Sequence, residues 1–199
     1  MGRLKKLAVF SGRKGPLLLI IMDGIGIGQK DESNAVYIAK TPNLDTLFKS
    51  KFSASLAAHG IAVGLPSDND MGNSEVGHNA FGAGRVFSQG AKRVNLDFKT
   101  DAVFKCKLWN QIVERGKNGG AVHFIGLLSD ANVHSNTEHL YAMVNKLAEL
   151  GIKNVRVHPL LDGRDVGPRT ALDYIKPTEE LLKKIRDEKG FHCVIASGG

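Results

Sequence analysis

Three short apolar segments, separated by stretches of helical periodicity, most constrain the fold of this chain. The segments predicted as strands are 121–128, 155–161 and 192–196. Amphipathic helices are predicted between them over 135–151 and 171–189, and before them from residue 104 to the glycines at 116–120. Because strands that alternate with helices are joined by right-handed crossovers, the pattern predicts an α/β fold with a parallel sheet.

A fourth apolar segment, 17–22, consists entirely of Leu, Ile and Met. Such a run is apolar on both faces, which is typical of a central strand in a parallel sheet that helices cover on both sides. Asp23 and a glycine-rich turn at 24–28 follow it. We therefore predict a strand over 17–22 with a carboxylate at its end.

Three other positions have the residues of a helix start. Thr41 can cap a helix that begins at Pro42, where a missing N–H has no cost. Ser74 is predicted to lie in the first turn of a helix that follows a polar loop at 69–73. Ser135 and Glu138 have the spacing of a capping box.

Polar loops follow the three predicted strands, at 129–134, 162–165 and 197–199. In open α/β sheets, ligands bind beyond the carboxyl ends of the strands. Because parallel strands end at the same edge of a sheet, we expect these three loops to share one binding edge. Asp23 has the equivalent place after the segment 17–22.

The positive charge of the chain is concentrated at its start. The sequence has 27 Lys and Arg against 20 Asp and Glu, a net charge of +7, and residues 1–16 carry five of these cations and no acid. We interpret 1–16 as a solvated basic tail and expect no nucleic-acid partner, because no recognition motif follows. The alternative, nucleic-acid binding through this tail, predicts a steep salt dependence.

Two further features bear on the compartment. The longest run of aliphatic residues and methionine, 17–22, is far too short to span a bilayer, so we expect no membrane association. Cys106 and Cys193 lie in apolar contexts and are predicted to be buried thiols rather than a disulfide, which is typical of a reducing compartment. A cytoplasmic location is expected, and import into an organelle through the basic tail remains open.

Asp23 and Ser74 are the first candidates for chemistry. A carboxylate at a strand end is a hard oxygen ligand that suits Mg²⁺ or Mn²⁺. A serine hydroxyl is a weak nucleophile until a base or a metal ion activates it, and a helix N-terminus favours an attached phosphate. The alternative is that Asp23 stabilises a turn and Ser74 only caps a helix.

The segment Asp70-Met-Gly-Asn-Ser74-Glu-Val-Gly-His78-Asn resembles the nucleophile loop of the cofactor-independent (bisphosphoglycerate-independent) phosphoglycerate mutases. That family belongs to the alkaline-phosphatase-like metalloenzymes. Further segments match the same family in the same order, at 19–28, 124–135, 161–166 and 195–199. The resemblance covers essentially all of 17–199, and several ordered motifs are far more specific than one glycine pattern.

The resemblance implies a fold and a division into domains. It implies a three-layer α/β/α phosphatase-type domain with an inserted second α/β phosphotransferase domain, and both would be incomplete in this chain. Residues 17–90 would belong to the metal-binding domain and residues 91–199 to the substrate domain. The metal and substrate sites of the family need further residues from a later segment, so we expect this sequence to be the front part of a longer protein.

The resemblance also implies residue roles. Asp23 and Ser74 would ligate one of two divalent cations, most typically Mn²⁺, with Mg²⁺ or Co²⁺ as alternatives, and no 2,3-bisphosphoglycerate would be needed. Ser74 would be the catalytic nucleophile that becomes phosphoserine. His134, Arg164 and Asp165 would bind phosphoglycerate, and Asp165 would also act as a catalytic acid and base.

The function implied is that of an isomerase, which moves a phosphoryl group between the 3- and 2-hydroxyls of glycerate in glycolysis and gluconeogenesis. The small-molecule substrate would be the main partner, the complete enzyme would be a monomer, and the chain by itself would be inactive. One alternative is another metallophosphoesterase, a phosphatase or a phosphopentose mutase. Another is a non-catalytic module that binds phosphate through Gly24, Gly26 and Gly28.

The substrate loop departs from the family pattern. Ala131 and Asn132 stand where the family commonly has two glycines, and Ser135-Asn136 replaces a more usual second basic or histidine position. If the loop uses glycine torsions, Asn132 tolerates them better than Ala131 does.

Several histidines are also open to interpretation. His78 lies one helical turn beyond Ser74 and could touch the site. His123 and His158 lie in predicted strands and are expected to be packed or hydrogen-bonded core residues, whereas His139 is expected on a helix surface.

Overall fold

The computed structural model describes residues 8–199, which divide into two compact units between Ser55 and Leu56. Three cations of the predicted tail, Arg3, Lys5 and Lys6, lie outside the described residues, whereas Arg13 and Lys14 are exposed. The predicted domain boundary at residues 90 and 91 stays a prediction.

The first unit contains two short helices, α1 (Ala35–Ile38) and α2 (Pro42–Phe48). Helix α2 begins at Pro42, as predicted. Thr41 holds the N-cap position, but its hydroxyl donates to Oδ1 of Asp45 at 2.9 Å instead of accepting a backbone N–H. The hydroxyl of Thr41 therefore donates its hydrogen bond to Asp45, and the expected side-chain cap is not formed.

The predicted strand over 17–22 is wrong. These residues have no regular secondary structure, and their side chains range from 41% to 90% exposed. A strand exists only where a neighbour accepts and donates its backbone hydrogen bonds, and no strand in residues 8–199 pairs with this segment. An apolar sequence is therefore not sufficient for a strand here.

The second unit contains a three-stranded parallel sheet. Its strands are β1 (Val122–Leu128), β2 (Asn154–Leu161) and β3 (His192–Ile195), in the order β1-β2-β3. Val155 lies opposite Val122 on one side and Cys193 on the other. The three predicted strands and their parallel arrangement are confirmed, with ends that differ by one residue.

The helices of this unit are α3 (Ser74–Ala83), α4 (Gly90–Lys99), α5 (Lys107–Lys117), α6 (Thr137–Glu149) and α7 (Ala171–Lys189), with 3-10 turns at Gly60–Val63 and Val103–Lys105. All except α4 were predicted. Asn136, not Ser135, caps α6, because its side chain accepts the backbone N–H of Glu138 at 2.8 Å. None of the helices in residues 8–199 is long and apolar enough to cross a membrane.

One hydrophobic core lies between the sheet and helices α5, α6 and α7. Its buried members are Trp109, Val113, Val122, Val144, Leu147, Ala148, Ile152, Val155, Val157, Leu182, Ile185 and Cys193. Burying one such aliphatic side chain completely contributes about 1.5–3 kcal/mol. On the other face of the sheet Ile125 is 72% exposed, so the described residues cover this sheet on one side.

The two cysteines differ in environment. Cys193 is 1% exposed, as predicted, but Cys106 is exposed and its predicted burial is wrong. Sγ of Cys106 accepts the backbone N–H of Trp109 at 3.4 Å and so caps α5. The capping position places this residue at the surface, between Lys105 and Lys107. Both thiols are free.

Candidate active site

Ser74 is the first residue of α3 and does not cap it. The N-cap is Asn73, whose side chain accepts the backbone N–H of Val76 at 2.9 Å. The start of a helix presents unbonded backbone N–H groups and the positive end of the helix dipole. A phosphate on the hydroxyl of Ser74 would therefore sit in a favourable field, and the interpretation of Ser74 as a cap is wrong.

A small buried cluster holds the start of α3. It contains Val63, Leu65 and Val76, and the buried side chain of Gln89 donates to the carbonyl oxygen of Val63 at 3.1 Å. Gln89 is only 3% exposed, and its side-chain nitrogen also lies 3.4 Å from the carbonyl oxygen of Val76. The helix that begins with Ser74 is thus anchored through Val76, in its first turn.

The loop before Ser74 is fixed at Gly72. Its backbone N–H donates to Nδ1 of His59 at 3.0 Å, and a Cβ at this position would collide with the carbonyl oxygen of Ala58. The backbone N–H of Gly60 in turn donates to the carbonyl oxygen of Asp70 at 3.1 Å. The close approach of two chain segments therefore requires glycine at position 72.

His78 contacts Ser74, as the helical spacing suggested. Its Nδ1 lies 2.8 Å from the carbonyl oxygen of Ser74 and 3.2 Å from Oγ. A carbonyl oxygen only accepts, so the shorter contact requires a proton on Nδ1, and that nitrogen cannot also take the proton of the hydroxyl. In this arrangement His78 orients Ser74 rather than deprotonating it.

Asp23, the other predicted metal ligand, lies in the first unit, in a turn whose Gly24 N–H donates to its Oδ1 at 3.0 Å. Asp23 and Ser74 supply carboxylate and hydroxyl oxygens, the donor type that Mg²⁺ and Mn²⁺ prefer. Within residues 8–199 there is no group of three or more His, Cys, Asp or Glu side chains that could hold a metal ion. Shared ligation by these two residues stays a prediction.

The loop after β2 presents Arg164 and Asp165 through a side-chain turn. Oδ1 of Asp162 accepts the backbone N–H groups of Arg164 at 2.8 Å and Asp165 at 3.0 Å. These backbone hydrogen bonds, that of Arg164 first, hold the pKa of Asp162 below its ordinary value. Sequence analysis did not assign Asp162 a role, although Asp followed by Gly is a strong turn signal.

Two of the predicted substrate-binding residues meet. Nε2 of His134, from the loop after β1, lies 3.9 Å from Oδ2 of Asp165. The imidazole is largely exposed, whereas the Asp165 carboxylate is mostly buried. The shared edge that the sequence predicted for these loops therefore does bring His134 and Asp165 together.

A cavity of about 540 Å³ adjoins this pair. Its lining combines the loop before Ser74, the loop after β1, the loop after β2 and helix α7. The lining residues are Asn69, Met71, Asp130, Ala131, Val133, Arg164, Asp165, Val166, Gly167 and Tyr174. Ser74 and His134 do not line it. The cavity is large enough for a small phosphorylated acid, and Arg164 offers it a planar fork of donors.

Tyr174 is a site residue that sequence analysis missed. It lies in the first turn of α7, and its hydroxyl donates to Oδ1 of Asp130 at 2.9 Å. This hydrogen bond raises the pKa of Tyr174 above its ordinary value of 10.0. No local pattern marks the residue, because the partner is 44 positions away.

Three other histidines have defined partners. Nδ1 of His123 lies 2.9 Å from Nε2 of His158, and Nδ1 of His158 lies 2.7 Å from Oγ of Ser197. The predicted hydrogen bonding of these two strand residues is confirmed, but their predicted place in the core is wrong, because His123 is exposed and His158 is only half-buried. His139 is partly buried against Phe98 rather than on an open helix surface, with ring centroids 4.5 Å apart. Burial lowers the pKa of His139.

The substrate loop does use a glycine-like backbone torsion, at one of the two positions where the family commonly has glycine. Asn132 has a φ of 60°, in the left-handed region, and Ala131 does not. Asn is among the side chains that tolerate this conformation best. The loop thus keeps a glycine-like turn at the one position of the two where a side chain can adopt it.

Comparisons with known proteins point to one family. The model for the N-terminus of BPG-independent phosphoglycerate mutases matches residues 94–199. A probable 2,3-bisphosphoglycerate-independent phosphoglycerate mutase of Leptospira interrogans is 42% identical over 99% of this chain and 36% of its own length. That of Trypanosoma brucei brucei is 46% identical over 92% of this chain and 33% of its own length.

A solved structure is similar as well. Leishmania mexicana phosphoglycerate mutase, crystallised at low cobalt concentration, aligns with a TM-score of 0.82 at 42% identity. The alignment covers 90% of this chain and 33% of that one. The chain therefore spans about a third of the length of the relatives that it matches.

Proposed function

The chain belongs to the family of BPG-independent phosphoglycerate mutases, and from that premise we propose that the complete protein interconverts 3- and 2-phosphoglycerate. One observation carries the proposal most directly. The cavity beside Asp165 is lined both by the loop that leads to Ser74 and by the turn that presents Arg164. An internal phosphoryl transfer needs a nucleophile and an anion-binding group: Arg164 lines the cavity, and Ser74 stands three residues beyond Met71, which lines it too.

In the proposed reaction Ser74 attacks the phosphorus of the substrate. The bond from phosphorus to the glycerate oxygen breaks, a bond to Oγ forms, and the proton of the serine hydroxyl is transferred to the released oxygen. The glycerate then reorients, its other hydroxyl attacks the phosphorus as the bond to Oγ breaks, and the proton of that attacking hydroxyl passes to Oγ. Asp165 would carry the protons on the glycerate side, and Arg164 would hold the substrate through paired hydrogen bonds.

We propose that Asp23 and Ser74 supply two of the ligands for a pair of divalent cations, with Mn²⁺ as the first candidate. Their oxygen donors fit such ions, and a relative whose crystal structures were determined at low cobalt concentration supports a divalent metal. When bound, divalent ions stabilise the charge that develops on the phosphoryl oxygens and favour the ionised serine. The remaining ligands would come from segments outside these 199 residues.

The wider organisation is part of the same proposal. Residues 17–90 would belong to a three-layer phosphatase-type domain and residues 91–199 to an inserted substrate domain. We further propose a monomeric, cytoplasmic enzyme that acts without nucleic acid or membrane, and no mutase activity for the 199-residue chain alone.

The test uses the complete protein with each of three substitutions. Ser74→Ala should abolish both isomerisation and phosphate release, and Arg164→Ala and Asp165→Asn should impair transfer while the protein stays folded. Ser53→Ala and Arg115→Ala, at exposed positions, are the matched controls. Retained isomerisation in the Ser74→Ala protein would end the phosphoserine mechanism.

The same assay separates the alternatives. The wild-type protein is given phosphoglycerate, a simple phosphate ester and a phosphopentose in parallel. Turnover of phosphoglycerate to its isomer is the expected result. Net hydrolysis of all three, or isomerisation of the phosphopentose alone, would assign the protein to another metallophosphoesterase activity.

A further inference from the structure

A buried carboxylate lies just ahead of the nucleophile and is used from both sides. Asp70 is 7% exposed and stands four residues before Ser74. Its Oδ2 accepts both the backbone N–H and the hydroxyl of Ser67, each at 2.7 Å. Its Oδ1 accepts the side-chain N–H of Asn132 at 2.9 Å. The two bonds from Ser67 shape the nucleophile loop, and the bond from Asn132 connects that loop to another part of the chain.

Asn132 belongs to the substrate loop, 62 positions further along the chain. It stands two residues before His134, and its neighbours Ala131 and Val133 both line the cavity described above. Its own side-chain oxygen accepts the side-chain N–H of Asn136 at 2.7 Å. Both ends of the Asn132 amide are therefore committed, one to each side of the site.

Asn136 connects this chain of bonds to a rigid element. Its side-chain oxygen caps α6 through the N–H of Glu138. An unbroken series of hydrogen bonds thus runs from Ser67 through Asp70, Asn132 and Asn136 into α6. A bond between an amide and a buried carboxylate is charge-assisted, and such bonds are stronger than those between neutral groups.

The backbone at Asn132 indicates that the side chain has a role beyond filling space. Its φ of 60° is a conformation that glycine adopts without cost and most other residues avoid. Any residue other than glycine therefore has a higher backbone free energy at this position. Here the Asn132 side chain makes two hydrogen bonds that offset this cost. The bond to Asp70 links the loop of the substrate to the loop of the nucleophile, and the bond from Asn136 ties the same side chain to the start of α6.

We propose that Asn132 is a positioning residue that, through Asp70, registers the nucleophile loop against the substrate loop. This proposal rests on the proposed function. It concerns whether the phosphoryl group on Ser74 is transferred to a glycerate hydroxyl or hydrolysed by water. In transfer, its bond to Oγ breaks as a glycerate hydroxyl bonds to phosphorus and gives its proton to Oγ. In hydrolysis a water molecule replaces that hydroxyl, and inorganic phosphate leaves.

Correct registration favours transfer, because the glycerate hydroxyl is then held near the phosphorus and water has less room. A looser registration slows the transfer that needs the bound hydroxyl, whereas attack by water needs no such alignment. The expected signature is therefore a change in the ratio of phosphate released to product isomerised. A purely structural role would lower the amount of folded protein and leave that ratio unchanged.

The experiment compares the wild type with four variants of the complete protein by coupled assays of isomerisation and phosphate release. Asn132→Asp places a second carboxylate against Asp70, and Asn132→Gly removes the amide but keeps the left-handed backbone. Each should raise the ratio of phosphate released to isomerisation by about tenfold, the factor expected for one charge-assisted hydrogen bond. Urea unfolding reports whether each protein is folded.

The decisive form is the exchange Asp70→Asn with Asn132→Asp. In it the new amide at 70 accepts from Ser67 and donates to the new carboxylate at 132, which still accepts from Asn136. The exchange should bring the ratio back to within about threefold of the wild-type value, the usual context dependence of such bonds. Asp70→Asn alone should not.

The outcomes are distinct. An active wild type whose ratio stays the same in both Asn132 variants, or an exchange that leaves the ratio of Asn132→Asp uncorrected, overturns this proposal and leaves the proposed function standing. A wild type that shows no isomerisation at all overturns the proposed function, and this proposal with it. A raised ratio in the two variants together with its recovery in the exchange supports the role of Asn132.

Discussion

The hydroxyl of Tyr174 donates a hydrogen bond to Oδ1 of Asp130, with 2.9 Å between the two oxygens. This bond connects the first turn of α7 to the loop that follows β1, and both residues line the candidate substrate cavity. Asp165 lines the same cavity, and its Oδ2 lies 3.9 Å from Nε2 of His134. One wall of the cavity is thus held by a contact between an element and a loop that follow different strands.

The ionisation of Tyr174 tests this contact directly. The hydrogen bond to the Asp130 carboxylate raises the pKa of Tyr174, because ionisation would lose the donated proton and place two anions together. In an absorbance titration of the tyrosinate band, the wild type should show a component above the ordinary value of about 10. Tyr174→Phe should remove that component, and Tyr37→Phe, an exposed control, should leave it in place.

The effect on stability has a defined sign. A raised pKa in the folded state means that the bond stabilises the protein fully below pH 10 and is lost as the pH rises through the folded pKa. Since the pair is exposed, Tyr174→Phe should lower the free energy of unfolding by about 1 kcal/mol or less at pH 7. A titration curve of the Asp130→Asn protein that matches the wild type would show that the carboxylate is not the cause.

Gly72 and Gly77 form a matched pair for the nucleophile segment. A Cβ at Gly72 would meet the carbonyl oxygen of Ala58, whereas one at Gly77, within α3, would meet nothing within 4 Å. Gly72→Ala should therefore destabilise the protein by about 1–3 kcal/mol. Gly77→Ala should stabilise it by about 0.5–1 kcal/mol, because alanine loses less backbone entropy in a helix.

Urea unfolding of the two variants measures both changes on the same scale. The sign difference is the informative part, since both substitutions add one methyl group to the same segment of chain. If Gly72→Ala proved as stable as Gly77→Ala, the close approach of the loop to Ala58 would be contradicted.

His139 predicts how stability changes with pH. Its ring stacks on Phe98, its Nε2 lies 2.6 Å from Oδ1 of Asn95, and burial lowers its pKa below the ordinary 6.5, with Glu138 partly offsetting this. The unfolded chain therefore binds a proton at this residue more tightly than the folded one does. It follows that stability is fully present above about pH 6.5 and falls as the pH drops through that value to the folded pKa.

The measurement is the free energy of unfolding at pH 8, 6.5 and 5 for the wild type and for His139→Gln. The loss between pH 8 and 5 should be smaller in the variant, because the substituted residue does not titrate. The value at pH 8 gives the internal control for the packing lost with the ring. A loss of equal size in both proteins would place the pH dependence at other groups.

Much of the second unit could be predicted from the sequence. The strands β1, β2 and β3 and the helices α5, α6 and α7 follow from hydrophobic periodicity, which reports local geometry, and the shared loop edge then follows from the parallel arrangement. Helix α4 was missed, although Val94 and Phe98 have the i,i+4 spacing of one helix face, because it is short and no side chain caps its start. Its position depends instead on tertiary contacts such as the stacking of Phe98 on His139.

The failures have a common physical origin, which is that local sequence does not report partners distant in the chain. The segment 17–22 has the composition of a buried strand, but a strand depends on neighbours that no window of sequence contains. The same holds for the bond between Asp70 and Asn132, which joins positions 62 apart. Ser135 and Asn136 are adjacent and both have side chains that can cap a helix. The path of the loop places Asn136, not Ser135, at the N-cap of α6.

Leu147 provides the sharpest test of where the core lies. It is 0% exposed on α6, among Val144, Val155 and Val157 on the covered face of the sheet. Leu147→Ala should lower the free energy of unfolding by about 2–5 kcal/mol, because it removes buried methyl groups and leaves a cavity that the strands cannot fill.

The control is Leu108→Ala on α5, the same change at a side chain that is 71% exposed. It should alter stability by about 0.5 kcal/mol or less, since little apolar surface is lost from contact with the protein. The difference between the two variants, measured by urea unfolding, isolates burial from helix propensity because both replace leucine by alanine within a helix. Equal costs at the two sites would mean that α6 does not pack its Leu147 face against the sheet.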